Sequence, residues 1–398
     1  MSWTNEELVA REGLHKSGVY PTKPVAIVRG EGARVWDAEG KEYVDCSAGV
    51  GVAALGHAHP AVVEAVTAQV ATLATLAGSY PNDQRAELQE RLCSLLPEGF
   101  ERVFFCNSGT EAVEGALKFA RLSTGRAGLV AAQRGFHGRT MGALSCTWEK
   151  KYREPFEPLV PECSHAPYGK LEAFEALVTE ETAAVIVEVV QGEGGVRPAP
   201  EGFLQGLREL CDARGALLIF DEVQTGFGRT GRVFAFEHVG VVPDLVSLGK
   251  AIGGGLAMGA VAIGARVEGL GLGAHGSTFG GNPLACAASN AFLRTLVEED
   301  LVRRSAELGA RFADRLGSIS SPLVREVRGL GLMVALDLRV RSAPILADLQ
   351  EHGVIALPAG PTVLRFLPPL VIEEQQLERV AAEIEAALAR AEEQESER

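Results

Sequence analysis

The stretch L-L-I-F-D-E-V-Q-T-G-F-G-R-T-G, residues 217–231, followed by P-D-L-V-S-L-G-K-A-I-G-G-G, residues 243–255, decides how the chain is organised. Each half is a short apolar run that ends in a polar residue and then in glycines, which is how a buried parallel strand delivers a functional group at its carboxyl end. Asp221 stands at the first strand end and Lys250 just beyond the second. A lysine amine can hold an aldehyde as a Schiff base, and a nearby anion can keep a ring nitrogen protonated, the two requirements of pyridoxal phosphate chemistry. Taken singly, the same residues also read as a surface lysine and a helix-capping aspartate.

Working outward, other strand ends carry groups of the same kind. R-V-F-F-C, N-S-G-T and E-A-V-E-G-A-L-K-F-A-R, residues 102–121, read as buried strand, tight loop and helix. Unpaired backbone N–H groups and the helix dipole then point at one spot, and Ser108, Gly109 and Thr110 form either an anion site or a simple helix cap. The next strand, A-G-L-V-A-A, ends in Q-R-G-F-H-G-R-T, where Phe136 can stack on a planar ring. Arg139 reads by itself as a surface charge, and His137 is expected only to pack. A-A-V-I-V-E-V-V-Q-G-E-G-G-V places Glu188 at a strand end and Glu193 in a glycine loop, where an acid must be paired or wet.

Composition bounds the rest. The 398 residues are 46% hydrophobic, enough for a large core in one or two domains, and the formal charge of −14 argues against nucleic-acid or anionic-membrane partners. Seven cysteines without a C-x-x-C pair, with Cys46, Cys106 and Cys211 beside apolar runs, read as buried thiols. The start M-S-W-T-N-E-E-L lacks the pattern of a secretory leader, and no apolar run is long enough to span a bilayer, so the cytoplasm is expected. His57 and His59 lack an acid at helical spacing and read as structural, and no metal site is expected. Helices are predicted from Ala61 (Val62, Val63, Val66, Val70), from Gln84 (Leu88, Leu92) and from Glu373 (Leu377, Val380, Ile384, Leu388), the last running into the acidic end E-E-Q-E-S-E-R.

D-E-V-Q-T-G-F-G-R-T-G and the following K-A-I-G-G-G resemble the class III (ornithine and acetylornithine type) aminotransferases, over a span from about Tyr20 to about Val371. G-A-R-V-W-D-A-E-G, R-E-V-R-G-L-G-L-M-V and A-G-P-T-V-L-R-F-L-P-P-L-V-I-E are most similar to the bacterial branch that makes arginine and lysine, with acetylornithine or LysW-γ-lysine as donor. The resemblance implies an α/β protein of the aspartate aminotransferase-like fold type I of PLP-dependent transferases, with a large, mostly parallel-sheet domain and a smaller α+β domain. The divisions expected are an arm and hairpin over 1–50, a cofactor domain over 51–282 and a small domain over 283–398.

The resemblance also implies site roles. Lys250 carries pyridoxal 5′-phosphate, Asp221 contacts its ring nitrogen, Phe136 and Val223 cover the two ring faces, and Gln224 bonds the ring hydroxyl. Ser108, Gly109 and Thr110 hold the phosphate, and Thr278 reaches the phosphate of the partner subunit, so a homodimer with shared sites is expected. Arg139 and Tyr20 grip the distal carboxylate of the donor, while Glu193 gates Arg365, which takes the carboxylate of 2-oxoglutarate. A small acidic carrier protein can hold the donor in this branch. Where Val189 stands the family usually has proline, which bears on the local loop shape. Ornithine or 4-aminobutyrate as donor, an intramolecular aminomutase and a non-catalytic scaffold remain as competing readings.

Overall fold

The computed structural model describes residues 3–396. Its centre is a seven-stranded sheet in the order Arg102–Cys106, Gly259–Ile263, Leu245–Leu248, Leu217–Asp221, Thr182–Val187, Gly128–Ala132, Cys163–Ala166. Only Gly259–Ile263 runs against the others, pairing antiparallel with both neighbours. The strands at 102, 128, 182, 217 and 245 therefore point the same way, and their carboxyl ends share one edge.

Thr182–Val187 is buried at all six positions and Leu217–Asp221 at all five, as strands covered on both faces require. Alternate residues feed two separate cores: Leu218 and Phe220 join one, and Leu217 and Ile219 the other. The helix Gly109–Thr124 packs Ala112, Val113, Ala116 and Ala120 onto the second face. The helix Phe203–Arg214 packs Phe203, Leu204, Leu207 and Cys211 onto the first. Burying Phe220 completely stabilises the fold by roughly 1.5–3 kcal/mol. Both helices stop at glycines in the left-handed region, Gly125 at φ 68° and Gly215 at φ 64°.

A second, antiparallel sheet in the order Val324–Leu330, Met333–Leu338, Val363–Phe366, Leu357–Pro358 carries Arg365 opposite Ala335. The predicted hairpin forms from Arg34–Asp37 and Glu42–Asp45, and Val354–Ile355 joins it in parallel, so the N-terminal arm is stitched to the C-terminal part. His57 Nε2 lies 2.8 Å from Asp45 Oδ2, which gives that histidine a structural partner.

The terminal helix Glu374–Ser396 buries Leu377, Val380, Ile384 and Leu388 as its spacing predicts. Met1 and Ser2, at the start of M-S-W-T-N-E-E-L, and Glu397 and Arg398, in the acidic end, lie outside the described residues. The helix Pro60–Val70 forms but buries none of its residues, leaving Val63 and Val70 exposed. Among the described residues no helix is long and apolar enough to cross a membrane.

Candidate active site

Each functional residue follows from its strand. Asp221 ends Leu217–Asp221 opposite Ser247, and its neighbouring strand ends at Leu248 two residues before Lys250. Lys250 has φ 48°, a left-handed conformation unusual outside glycine, of the kind that concentrates at functional sites. Desolvation, and then the Arg365 charge, bring its amine down to about 8, against the opposing pull of Glu193, Asp221 and Glu188. An amine so placed is a nucleophile and a base near neutrality.

Asp221 is buried, yet it is well served. Oδ1 accepts from Val223 N at 3.0 Å, and Oδ2 lies 2.7 Å from His137 Nδ1. Burial opposes charge on His137, but the hydrogen bond and the charge of Asp221 outweigh it, so the imidazole is held above its ordinary value. The expectation that His137 only packs is therefore corrected: it is the side-chain hydrogen-bond partner of Asp221. The available sequence signal was an ionisable residue beside the ring-stacking aromatic at a strand end.

The strand-loop-helix at Asn107–Thr110 forms as predicted. Ser108 caps the helix, its Oγ accepting from Glu111 N at 3.3 Å. Thr110 Oγ1 lies 2.8 Å from Thr140 Oγ1 and accepts from Arg139 N, tying this loop to the one that carries Arg139. Gly109 is demanded by its neighbour, because a Cβ there would sit 2.5 Å from Val223 Cγ1. Gly249 is equally confined, with Gly109 Cα 2.9 Å from its missing Cβ. Three strand ends thus close on one floor.

Glu188, left without a role by the sequence, bridges two loops: it accepts from Phe136 N at 3.0 Å and from Gly192 N at 2.9 Å. Burial pushes its carboxyl up to about 7, against the His137 charge and these two N–H groups. Val189, where proline was expected, is buried, and its carbonyl accepts from Ala199 N and Tyr168 OH, so the departure leaves the loop anchored. Four residues on, Glu193 Oε1 meets Arg365 Nη1 at 2.7 Å, and the same guanidinium nitrogen donates to Gln224 Oε1 at 3.2 Å. Arg365 is only 2% exposed.

Arg139 is exposed, without an acidic partner among the described residues, and its guanidinium lies 3.5 Å from the Tyr152 ring centre and 5.9 Å from that of Phe136. Phe136 and Tyr152 meet edge to face. A cavity of about 580 Å³ is lined by Phe136, Tyr152 and Glu193, and Arg139 is not among its lining residues. Tyr20 does not line it and is 73% exposed. Thr278 lies on an exposed loop whose Ser277 accepts from Asn107 Nδ2 at 3.1 Å. No group of three or more potential metal ligands occurs among the described residues.

These groups fit pyridoxal phosphate: an amine at low pKa, a buried carboxylate for a ring N–H, an aromatic cover, and a helix N-terminus with hydroxyls for the phosphate. The comparisons agree. The Aminotransferase class-III family matches residues 16–388. A [LysW]-aminoadipate semialdehyde transaminase of Deinococcus radiodurans is 51% identical over 384 residues, covering 96% of this chain and 90% of the relative. An acetylornithine aminotransferase of Methanopyrus kandleri is also 51% identical, over 95% of this chain and 98% of the relative. The crystal structure of the ornithine aminotransferase of Toxoplasma gondii superposes with a TM-score of 0.94 at 35% identity, covering 98% of this chain and 96% of that one. With the sheet, the lysine and the carboxylate where that chemistry needs them, the chain belongs to the class III aminotransferases and is a pyridoxal 5′-phosphate enzyme of fold type I.

Proposed function

We propose that the enzyme moves the terminal amino group of N-acetylornithine, or of lysine held on a small acidic carrier protein, to 2-oxoglutarate in arginine or lysine biosynthesis in the cytoplasm. The observation that carries this reading is the unequal state of two arginines. Among the described residues Arg139 has no acidic partner, and Arg365 is paired with Glu193 at 2.7 Å. An ω-amino donor presents an uncharged carbon chain near the reacting centre and a distant carboxylate, so it needs Arg139 charged and Arg365 masked. 2-Oxoglutarate carries a carboxylate beside its keto carbon, so it needs Arg365 released.

The bound cofactor supplies the electron sink that makes the C–H bond next to the amine acidic. Lys250 Nζ takes that proton from one carbon and returns it to the other, a task suited to an amine that titrates near pH 8. Asp221, hydrogen-bonded to His137, would hold the ring N–H, and Ser108, Gly109 and Thr110 would hold the phosphate. Phe136 and Val223 would confine the ring, Gln224 would bond its hydroxyl, and Tyr20, exposed in this structure, would reach the donor carboxylate.

We further infer a homodimer in which Thr278 completes the partner's phosphate site, in keeping with its exposed loop, the exposed Phe279 and the exposed Val63 and Val70 of the helix Pro60–Val70. The divisions at residues 1–50, 51–282 and 283–398 are kept as the proposed domains. A donor panel against 2-oxoglutarate tests the reading: kcat/KM for N-acetylornithine or carrier-linked lysine is expected to exceed that for 4-aminobutyrate and free ornithine at least about tenfold. A lead for either of the latter would remove the biosynthetic assignment.

A further inference from the structure

Glu193 stands in a segment with little stiffness of its own. Q-G-E-G-G-V, residues 191–196, has glycine at 192, 194 and 195, so the backbone that carries Glu193 must take its position from outside. Val196, fully buried, is held at φ 50°, a left-handed conformation that is an outlier for a β-branched residue.

The restraint comes from the antiparallel sheet that carries Arg365. Val190 and Val196 pack with Met333, Ala335 and Val363 of that sheet in one small core. On the same sheet three residues lie in register on adjacent strands: Arg328 is opposite Ala335, and Ala335 is opposite Arg365. Directly paired residues share a face, and two strand spacings put the backbones of the two arginines about 10 Å apart, with only the methyl group of Ala335 between them. The segment 193–196 spans that gap. Glu193 meets Arg365 at 2.7 Å, and the carbonyls of Gly195 and Val196 accept from Arg328 Nε at 2.9 Å and 3.2 Å.

Arg328 is itself fixed. Its Nη1 meets Glu326 Oε2 at 2.7 Å and Asp337 Oδ2 at 2.9 Å, and its side chain is 9% exposed. Asp337 is buried and also accepts from Thr362 Oγ1 at 3.0 Å. Glu193, by contrast, is 35% exposed, and an ion pair with one partner so open is weak unless the backbone beneath it is already in place. Arg365 takes the glutamate side chain, and Arg328 takes the backbone that follows it.

We propose that Arg328 is a positioning residue for the exchange of substrates. By holding the Gly195 and Val196 carbonyls it fixes Glu193 against Arg365, and so sets how completely Arg365 is masked when an ω-amino donor binds. It acts on donor choice through Glu193 and not by contact with a substrate. This rests on the proposed gate between Glu193 and Arg365, and the test separates the two.

The test reads one ratio, kcat/KM for glutamate over that for N-acetylornithine, in the half-reaction of the holoenzyme with each amine alone. 4-Aminobutyrate replaces N-acetylornithine if the latter is not turned over. Because both rates come from one protein, any general loss of activity cancels. The ratio is expected to rise about tenfold in Glu193→Ala and about threefold in Arg328→Gln, where the carboxylate stays but its support is lost. In Arg328→Gln/Glu193→Ala it should rise no further than in Glu193→Ala, since nothing is left to position. Arg328→Lys keeps a cation beside Asp337 without the fork and should give about a twofold rise, which carries the test if Arg328→Gln does not fold. A ratio unchanged in the Arg328 variants while Glu193→Ala raises it overturns the positioning role and leaves the gate. A rise of the same factor with and without Glu193 overturns it too, because Arg328 would then act independently of that residue. An unchanged ratio in Glu193→Ala removes the gate and this inference with it.

Discussion

Replacing Glu193 with alanine separates the two carboxylate clamps. Glu193 and Arg365 meet at 2.7 Å, with Arg365 side chain 3% exposed and Glu193 35% exposed. Two unit charges about 4 Å apart attract by about 4 kcal/mol at an effective dielectric of 20. The exposure of Glu193 and the need to desolvate the pair reduce the net value to about 1–2 kcal/mol. A carboxylate that binds Arg365 must first displace Glu193, so its removal should strengthen that binding by about tenfold, at about 1.4 kcal/mol per decade. In Glu193→Ala the KM for 2-oxoglutarate should fall, and kcat/KM for glutamate as amino donor should rise, each by about that factor. Donors bearing an ω-amine should lose ground, because their apolar stem would then face an unmasked cation. Arg365 keeps its bond to Gln224, so the variant is expected to fold. The assay is steady-state kinetics with glutamate and with N-acetylornithine in parallel. Unchanged relative rates for the two donors would refute the gate.

Two further outcomes follow from the floor of the site and from Lys250. Gly109→Ala places a methyl group 2.5 Å from Val223 Cγ1 and should cost about 1–3 kcal/mol, seen as a lower Tm and weaker cofactor retention. Val223→Ala in the same chain should recover most of the loss, and an additive double variant would show that the contact is not the cause. The Lys250 amine is brought from 10.5 to about 8, so it is protonated and unreactive below that pH and free above it. The rate of cofactor uptake by the apoenzyme should therefore rise with pH to a plateau with a midpoint near 8, and a midpoint near 10.5 would contradict the burial argument.

Most of the frame was legible in the sequence because buried parallel strands are written as continuous apolar runs. T-A-A-V-I-V and L-L-I-F-D appear in the structure within a residue of their expected limits. Lys250, Asp221, Phe136 and the Ser108 loop stand out as candidates for the same reason, since each follows such a run. His137 and Glu188 were missed because their roles are made by contacts across the sheet. His137 meets Asp221 from a loop 84 residues away, and Glu188 binds backbone N–H groups of two other loops. Periodicity reports which face of its own element a residue occupies and is silent on partners brought in by neighbouring strands. The helix from Ala61 shows the converse: its apolar spacing is regular and Val62 packs against the core, yet Val63 and Val70 stay exposed.

The contacts the sequence could not show are also those that join the two halves of the reaction. Glu188 holds Phe136 N with one oxygen and Gly192 N with the other, so the ring cover and the start of the gate loop hang on one carboxyl group. Gly192 precedes Glu193, and a Cβ on it would lie 2.2 Å from Gln224 Oε1, the atom that also accepts from Arg365. Arg365, Gln224, Gly192, Glu188 and Phe136 thus form a continuous run of contacts from the proposed gate to the ring cover. Because Glu188 titrates near 7, the bridge changes protonation where the enzyme is expected to work. The neutral form loses one acceptor lone pair to its own proton and loosens one of the two N–H contacts. Gate loop and ring cover thus share one side chain as acceptor, so the proposed switch between an ω-amino donor and a keto acid is expected to depend on Glu188 as well as on Glu193.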